Sequence, residues 1–166
     1  MSIPHESEPS PLVGKRPRSA AMILLADDDP QVRHVCSMAL TREGLSVKVV
    51  PNGGDAWRAL ELAEYDLLIT DNDMPGLTGL EIIGKLRSAR RGTPVVLISG
   101  TVSAEGFCRE ARFSECAFLL KPFPPDHLLK IVKEFLLRVR SENQPNAPEK
   151  MSAQPNSPRP GFQGGA

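Results

Sequence analysis

Four short apolar stretches of this chain end in polar side chains that can bind a cation or a phosphoryl group. Asp27 and Asp28 follow the first stretch, Asp71 follows the second, and Ser99 and Lys121 follow the last two. Carboxylate oxygens are ligands that Mg²⁺ prefers, and a carboxylate is also a nucleophile in phosphoryl transfer. An ammonium group and a hydroxyl group can hold phosphoryl oxygens. Brought together, these side chains predict a site that accepts a phosphoryl group with the help of a divalent cation.

The pattern of the intervening sequence predicts elements that bring these side chains together. Short apolar runs at 22–26, 47–50, 66–70, 95–98 and 117–120 predict strands. Each run is followed by helical periodicity, beginning with Val32, Val35, Cys36, Ala39 and Leu40. Apolar strands that alternate with helices indicate a parallel sheet covered on both faces. We therefore expect an α/β, doubly wound, flavodoxin-like fold of five strands ordered 2-1-3-4-5, with its site at the carboxyl ends of the strands.

Composition sets the limits of the folded part. Nine of the 16 prolines lie in 1–20 and 141–166, and these two segments hold few large apolar residues. Such segments bury too little apolar surface to offset the entropy of ordering, so we predict disordered tails at both ends. The folded domain is predicted to span 21–140. The fourth helix, at 104–112, is predicted to be weak because Gly106 lies inside it.

Charge and cysteine content exclude several classes of protein. Twenty basic residues balance twenty acidic ones, and no apolar stretch is long enough to span a bilayer. We therefore expect neither nucleic acid nor a membrane as a partner. The three cysteines are widely spaced and odd in number, which argues against a disulfide framework or a zinc site and favours the cytoplasm.

Each polar residue also has a purely structural explanation when it is taken alone. Aspartates are common at the ends of strands, and Asp29 is expected to cap the first helix. A serine such as Ser99 or a lysine such as Lys121 at the end of a strand is usually a solvated loop residue. Phe118 could be an ordinary core or edge aromatic residue. The functional interpretation depends on the four strand ends together.

Four motifs resemble the receiver domain of bacterial two-component response regulators of the single-domain, CheY-like kind. They are ILLADDD at 23–29, YDLLITDNDMPG at 65–76 with Gly79 following, VVLISG at 95–100, and KPF at 121–123. Their order and spacing match the family over 21–140. The resemblance implies a protein that signals in the cytoplasm by accepting a phosphoryl group. Because no effector domain is recognised after 140, we expect a stand-alone receiver.

The resemblance also implies a role for each acidic residue. Asp71 would be the phosphoacceptor, and its phosphoryl group would come from a histidine kinase or a histidine phosphotransfer protein. Asp28 and Asp71 would bind Mg²⁺, or Mn²⁺, directly. The backbone carbonyl of Asp73 would be a third ligand, and Asp27 would act through water. The side chain of Asp73 adds a carboxylate beside the acceptor, which affects the lifetime of the phosphoryl group in a direction that the sequence does not set.

The remaining motif residues would transmit the phosphorylation. By the resemblance, Ser99 would donate a hydrogen bond to the phosphoryl group and Lys121 would pair with it. The peptide bond before Pro122 would be cis. Phe118 would rotate as Ser99 moves inward and would reshape the face formed by the fourth predicted helix, the fifth strand and the last helix. A downstream protein, or a second copy of the chain, would bind this face.

Two alternative interpretations remain open. One is a receiver-like binding module that is never phosphorylated. The other is a phosphatase of the haloacid-dehalogenase kind, in which Asp71 and Asp73 would be the nucleophile and the general acid. In that family the acidic pair follows the nucleophile, whereas Asp27 and Asp28 precede it here. In addition, no cap or substrate domain is recognised in the sequence.

Overall fold

Five strands form one parallel sheet in the computed structural model, which describes residues 20–101 and 115–142. The strands are β1 (Met22–Ala26), β2 (Ser46–Val50), β3 (Leu67–Asp71), β4 (Val95–Ser99) and β5 (Cys116–Leu120). The helices are α1 (Pro30–Arg42), α2 (Gly53–Leu62), α3 (Gly79–Ser88) and α4 (Pro125–Glu142). The strands lie in the order β2-β1-β3-β4-β5, so the predicted flavodoxin-like topology is confirmed.

The sheet buries both of its faces, which is why its central strands are apolar up to the polar residues at the carboxyl ends of β3 and β4. Successive side chains of a strand point to opposite faces. Leu24 and Ala26 of β1 therefore pack with residues of α2 and α3, whereas Ile23 and Leu25 pack with residues of α1 and α4. Strands β3 and β4 are buried along their whole length. This two-sided core fixes the strand ends relative to one another.

Local signals in the sequence set the starts of three helices. Asp29 caps α1, as predicted, because its side chain accepts a hydrogen bond from the N–H of Gln31. Asn52 caps α2 in the same manner, through the N–H of Asp55. Thr78 and Glu81 form a reciprocal capping box at the start of α3. All three caps lie in loops that begin at the carboxyl ends of strands β1, β2 and β3.

Some predicted positions differ from those observed. Asp71 and Ser99 are the last residues of β3 and β4, whereas the sequence placed both just beyond the strands. Their backbone groups continue the sheet, because Asp71 pairs with Ile98 and Ser99 pairs with Leu120. Val35 was predicted on the buried face of α1 but is 47% exposed. It lies about 100° around the helix from the buried Cys36, outside the contact with the sheet.

The cysteines also differ from expectation. Cys116 is disulfide-bonded, so the expectation that the cysteines form no disulfide framework is wrong at this position. Cys36 is free, and burial together with the nearby charge of Asp27 raises the pKa of its thiol to about 11. The predicted helix at 104–112 lies outside the described residues, as do nearly all of the two predicted tails. No helix among the described residues is both long and apolar enough to cross a membrane.

A close backbone contact joins α2 to the loop between β3 and α3. The N–H of Gly53 donates a hydrogen bond to the carbonyl of Pro75. A Cβ atom added at Gly53 would lie 1.8 Å from the carbonyl oxygen of Leu77. Only glycine permits this approach, so α2 holds the loop that follows Asp71.

We predict opposite effects of alanine at two glycines. Gly53→Ala should lower the free energy of unfolding by roughly 1–3 kcal/mol, because the backbone must move away from Leu77. Gly84→Ala should raise it by about 0.5–1 kcal/mol, since Gly84 is inside α3 and a Cβ atom there meets nothing within 4 Å. Urea denaturation of both variants measures the difference. Equal stability of the two variants would contradict this account of Gly53.

Candidate functional site

The polar residues predicted to meet do lie at the carboxyl edge of the sheet, meaning the edge formed by the C-terminal ends of its strands. Asp27 directly follows β1, Asp71 ends β3, Ser99 ends β4, and Lys121 directly follows β5. Backbone bonds hold these ends in register, because the N–H of Asn72 donates to Ile98 and the N–H of Lys121 donates to Ser99. The parallel sheet therefore positions the candidate site.

Three carboxylates form an acidic cluster at this edge. One oxygen from each of Asp27, Asp28 and Asp71 lies within 4.8 Å of the other two. Asp27 is fully buried and Asp71 is 4% exposed, whereas Asp28 is exposed. Buried carboxylates so close together repel one another unless a cation compensates their charge.

Lys121 supplies one compensating charge. Its Nζ lies 2.8 Å from Oδ2 of Asp27 and 3.2 Å from Oδ1 of Asp71. Burial alone would lower the pKa of Lys121, but the hydrogen bond and the charge of Asp27, together with Asp71, raise it above its usual value of 10.5. Lys121 is therefore a firmly protonated cation between two buried carboxylates.

Asp71 differs from an ordinary surface aspartate. Burial raises its pKa above the usual 3.8, and the charges of Asp27 and Asp73 act in the same direction. The charge and hydrogen bond of Lys121 oppose this rise without cancelling it. Ionisation of Asp71 therefore costs free energy in the folded protein, and a further cation beside the carboxylate would lower this cost.

Asp27 is surrounded by donors. Its Oδ1 accepts a hydrogen bond from the N–H of Asp29 at 2.8 Å, and its Oδ2 accepts one from Lys121. Its backbone carbonyl accepts a hydrogen bond from Nη1 of Arg33 at 2.7 Å. Arg33 was not predictable from the sequence, because a contact from a side chain back to a carbonyl six residues earlier leaves no mark in the pattern of apolar residues.

The other predicted site residues, Ser99, Asp73 and Phe118, have contacts of their own in the described part of the chain. The fully buried Ser99 accepts a hydrogen bond through Oγ from the N–H of Thr101 at 3.2 Å. The exposed side chain of Asp73 accepts one from the amide of Asn72 at 3.3 Å. Phe118 is half-buried in β5, opposite Leu97, and packs against the core on the side of α2 and α3. Thr101 and Asn72 contact these site residues, and the sequence pattern did not indicate either of them.

The donor set fits a hard divalent cation. Three carboxylates provide only oxygen ligands, and Mg²⁺ and Mn²⁺ favour oxygen ligands over nitrogen or sulfur. The exposed Asp28 leaves the cluster open to solvent on one side. The Lys121–Pro122 peptide bond is cis, which is the geometry that the resemblance implied.

Comparisons with known proteins point to one family. A family model described as the response regulator receiver domain matches residues 23–133. The chain is 33% identical over 113 residues to the DNA-binding transcriptional regulator NtrC of Bradyrhizobium sp., a match that covers 68% of this chain and 24% of NtrC. It is 35% identical over 117 residues to an uncharacterized 14.6 kDa protein of Leptolyngbya boryana, which covers 69% of this chain and 89% of that protein.

A solved structure shows the same fold. The response regulator TrrA of Thermotoga maritima, in complex with Mg²⁺ and BeF, superimposes with a TM-score of 0.61 at 28% identity. The match covers 69% of this chain and 98% of the other. The chain spans about a quarter of the length of the NtrC relative and most of the length of the smaller protein.

We predict that Lys121→Met binds divalent cations more tightly than the wild type. The substitution removes a positive charge from beside Asp27 and Asp71, so a competing cation meets less repulsion. The dissociation constant for Mn²⁺ should fall on the order of tenfold, which lies between the effect of one charge pair in water and that of one near a protein surface. Titration monitored by electron paramagnetic resonance measures this constant, and weaker binding would contradict the prediction.

We also predict that Asp71→Asn stabilises the metal-free protein at pH 7. Because the pKa of Asp71 is raised in the folded state, the ionised form lowers stability at pH values above that pKa. The melting temperature of Asp71→Asn should exceed that of the wild type at pH 7, and the difference should shrink as the pH falls toward 3.8. Glu61→Gln, which removes an exposed carboxylate of α2, is the matched control. A difference that grows on acidification would contradict this explanation.

Proposed function

The chain belongs to the response regulator receiver family, and we propose that its carboxyl-edge site accepts a phosphoryl group on Asp71. One observation carries the proposal: the buried carboxylate of Asp71 lies within 4.8 Å of two others and 3.2 Å from the Lys121 ammonium. A nucleophile, an acidic cluster and a fixed cation are the parts that phosphoryl transfer requires.

In the proposed reaction, an Asp71 oxygen forms a bond to the phosphorus of a phosphohistidine. The bond between that phosphorus and the donor nitrogen breaks, and the electron pair stays with the imidazole of the donor protein. A bound Mg²⁺ or Mn²⁺, held by Asp28, Asp71 and the backbone carbonyl of Asp73 with Asp27 acting through water, would neutralise phosphoryl charge. Lys121 pairs with a phosphoryl oxygen. Its raised pKa keeps it protonated, as this pairing requires.

We propose that the signal leaves the site through Ser99 and Phe118. Ser99 ends β4, and its neighbour in β5 is only two residues beyond Phe118. A hydrogen bond from the Ser99 hydroxyl to the phosphoryl group would replace its 3.4 Å contact with the hydroxyl of Thr101. The half-buried ring of Phe118 would then change its packing and alter the surface of β5 and α4. A downstream protein, or a second copy of the chain, would bind this surface.

The proposed partners follow from this chemistry. The phosphoryl donor is a histidine kinase or a histidine phosphotransfer protein. Because the donor obtains its phosphoryl group from cytoplasmic ATP, we propose that this receiver acts in the cytoplasm. It acts as a phosphoacceptor that assists its own phosphorylation and dephosphorylation. We propose that the domain at 21–140 signals through protein contacts, with neither nucleic acid nor a membrane as its own partner.

We predict that the protein is labelled once by acetyl phosphate in the presence of Mg²⁺. Intact-mass spectrometry should show a gain of about 80 Da, the mass of one phosphoryl group. Asp71→Asn should abolish this gain. Asp73→Asn should keep it, because Asp73 offers a backbone carbonyl rather than a nucleophile. Chelation of Mg²⁺ should slow the labelling of the wild type strongly.

The same experiment separates the alternatives. No gain in mass with Mg²⁺ would leave a receiver-like module that binds partners without phosphorylation. Sustained hydrolysis of p-nitrophenyl phosphate, dependent on both Asp71 and Asp73, would favour a phosphatase. The acidic pair at Asp27 and Asp28 precedes Asp71 and lies beside it in space, which supports the receiver over the phosphatase.

A further inference from the structure

Arg33 links the first turn of α1 to the end of β1. Its Nη1 donates a hydrogen bond of 2.7 Å to the backbone carbonyl of Asp27, and its own N–H donates to the carbonyl of Asp29. Its side chain is half-buried. The contact thus spans the turn that carries the acidic residues at 27–29.

This turn has two further internal bonds. The N–H of Asp29 donates to the buried carboxylate of Asp27, and the side chain of Asp29 caps α1 through the N–H of Gln31. Asp28 lies between these two residues and is exposed. Its backbone position, and therefore the reach of its carboxylate toward Asp71, is set by bonds made by its neighbours.

We propose that Arg33 is a positioning residue for the divalent-cation site, which it serves by fixing the 27–29 turn so that Asp28 stays beside Asp71. The proposal rests on the metal site of the proposed function. A hydrogen bond from a charged donor to a carbonyl contributes more than a neutral one, and partners that orient ligands tune metal affinity. Arg33 would act through Asp27 and Asp28 and would not itself touch the cation.

The direction of the change in metal affinity distinguishes a positioning role of Arg33 from a purely electrostatic one. Arg33 is a cation close to a cation site, so by electrostatics alone its removal would tighten metal binding. If Arg33 positions Asp28, its removal weakens metal binding despite the loss of a repelling charge. Lys121→Met shows the change that is expected when a neighbouring positive charge is simply removed, which is tighter metal binding.

The test is a Mn²⁺ titration of the full chain, monitored by electron paramagnetic resonance, for the wild type and three variants. Arg33→Met should weaken the affinity roughly tenfold, the low end of what one hydrogen bond to a charged group contributes. Lys121→Met should tighten it. Arg58→Met, which removes an exposed charge from α2 on the other face of the sheet, should leave it nearly unchanged. The titration is run at least 20 °C below the lowest melting temperature, roughly the margin that keeps each variant folded.

The outcomes separate this inference from the proposed function. Wild-type protein that binds no Mn²⁺ would overturn both. If the wild type binds Mn²⁺ and Arg33→Met binds it with unchanged or higher affinity, the proposed role of Arg33 is overturned, but the proposed function is not. A lower melting temperature of Arg33→Met without any change in affinity would also overturn it, since Arg33 would then serve only general stability.

Discussion

Repulsion among the carboxylates at the carboxyl edge is the constraint on which the arrangement of this domain depends. Parallel strands bring Asp27 and Asp71 to one edge, and the helices that cover the sheet remove both from water. Lys121 supplies one positive charge against the three carboxylates of the cluster. When all are ionised, the balance is two negative charges, which a divalent cation matches. The site is therefore built to favour the binding of such a cation.

Repulsion within the carboxylate cluster lowers the free energy of unfolding, and the rest of the fold must compensate for this loss. Fully apolar strands packed on both faces give a core that does not depend on the polar edge. Backbone contacts then hold the loops that carry the site. Gly53 allows α2 to bond directly to the loop after β3, and Gly79 lets α3 approach the carbonyl of Asp71. These contacts are made by the backbone, and they offset the large conformational freedom that glycine loses on folding.

The sequence predicted those parts that follow from periodicity. Runs of apolar residues alternating with helices indicated the strands and their order, and the polar residues after four of the five runs marked the edge where Asp27, Asp71 and Lys121 meet. Features that depend on three-dimensional approach were not predictable in this way. Arg33 reaches a carbonyl six residues earlier only because of the geometry of the turn. Val35 is exposed because α1 meets the sheet along a narrower face than its apolar residues suggested.

The hydrogen bonds of the turn also distinguish two neighbouring aspartates that the sequence leaves alike. Both carboxylate oxygens of Asp27 already accept bonds, one from the N–H of Asp29 and one from Lys121. Asp28 is exposed and Asp71 offers its second oxygen, so these two have oxygens that can contact a cation directly. A fully bonded, buried Asp27 suits an indirect role through water. This difference between the two aspartates supports the proposed ligand set. It also explains why the conformation of the 27–29 turn matters more for Asp28, a proposed direct ligand, than for Asp27.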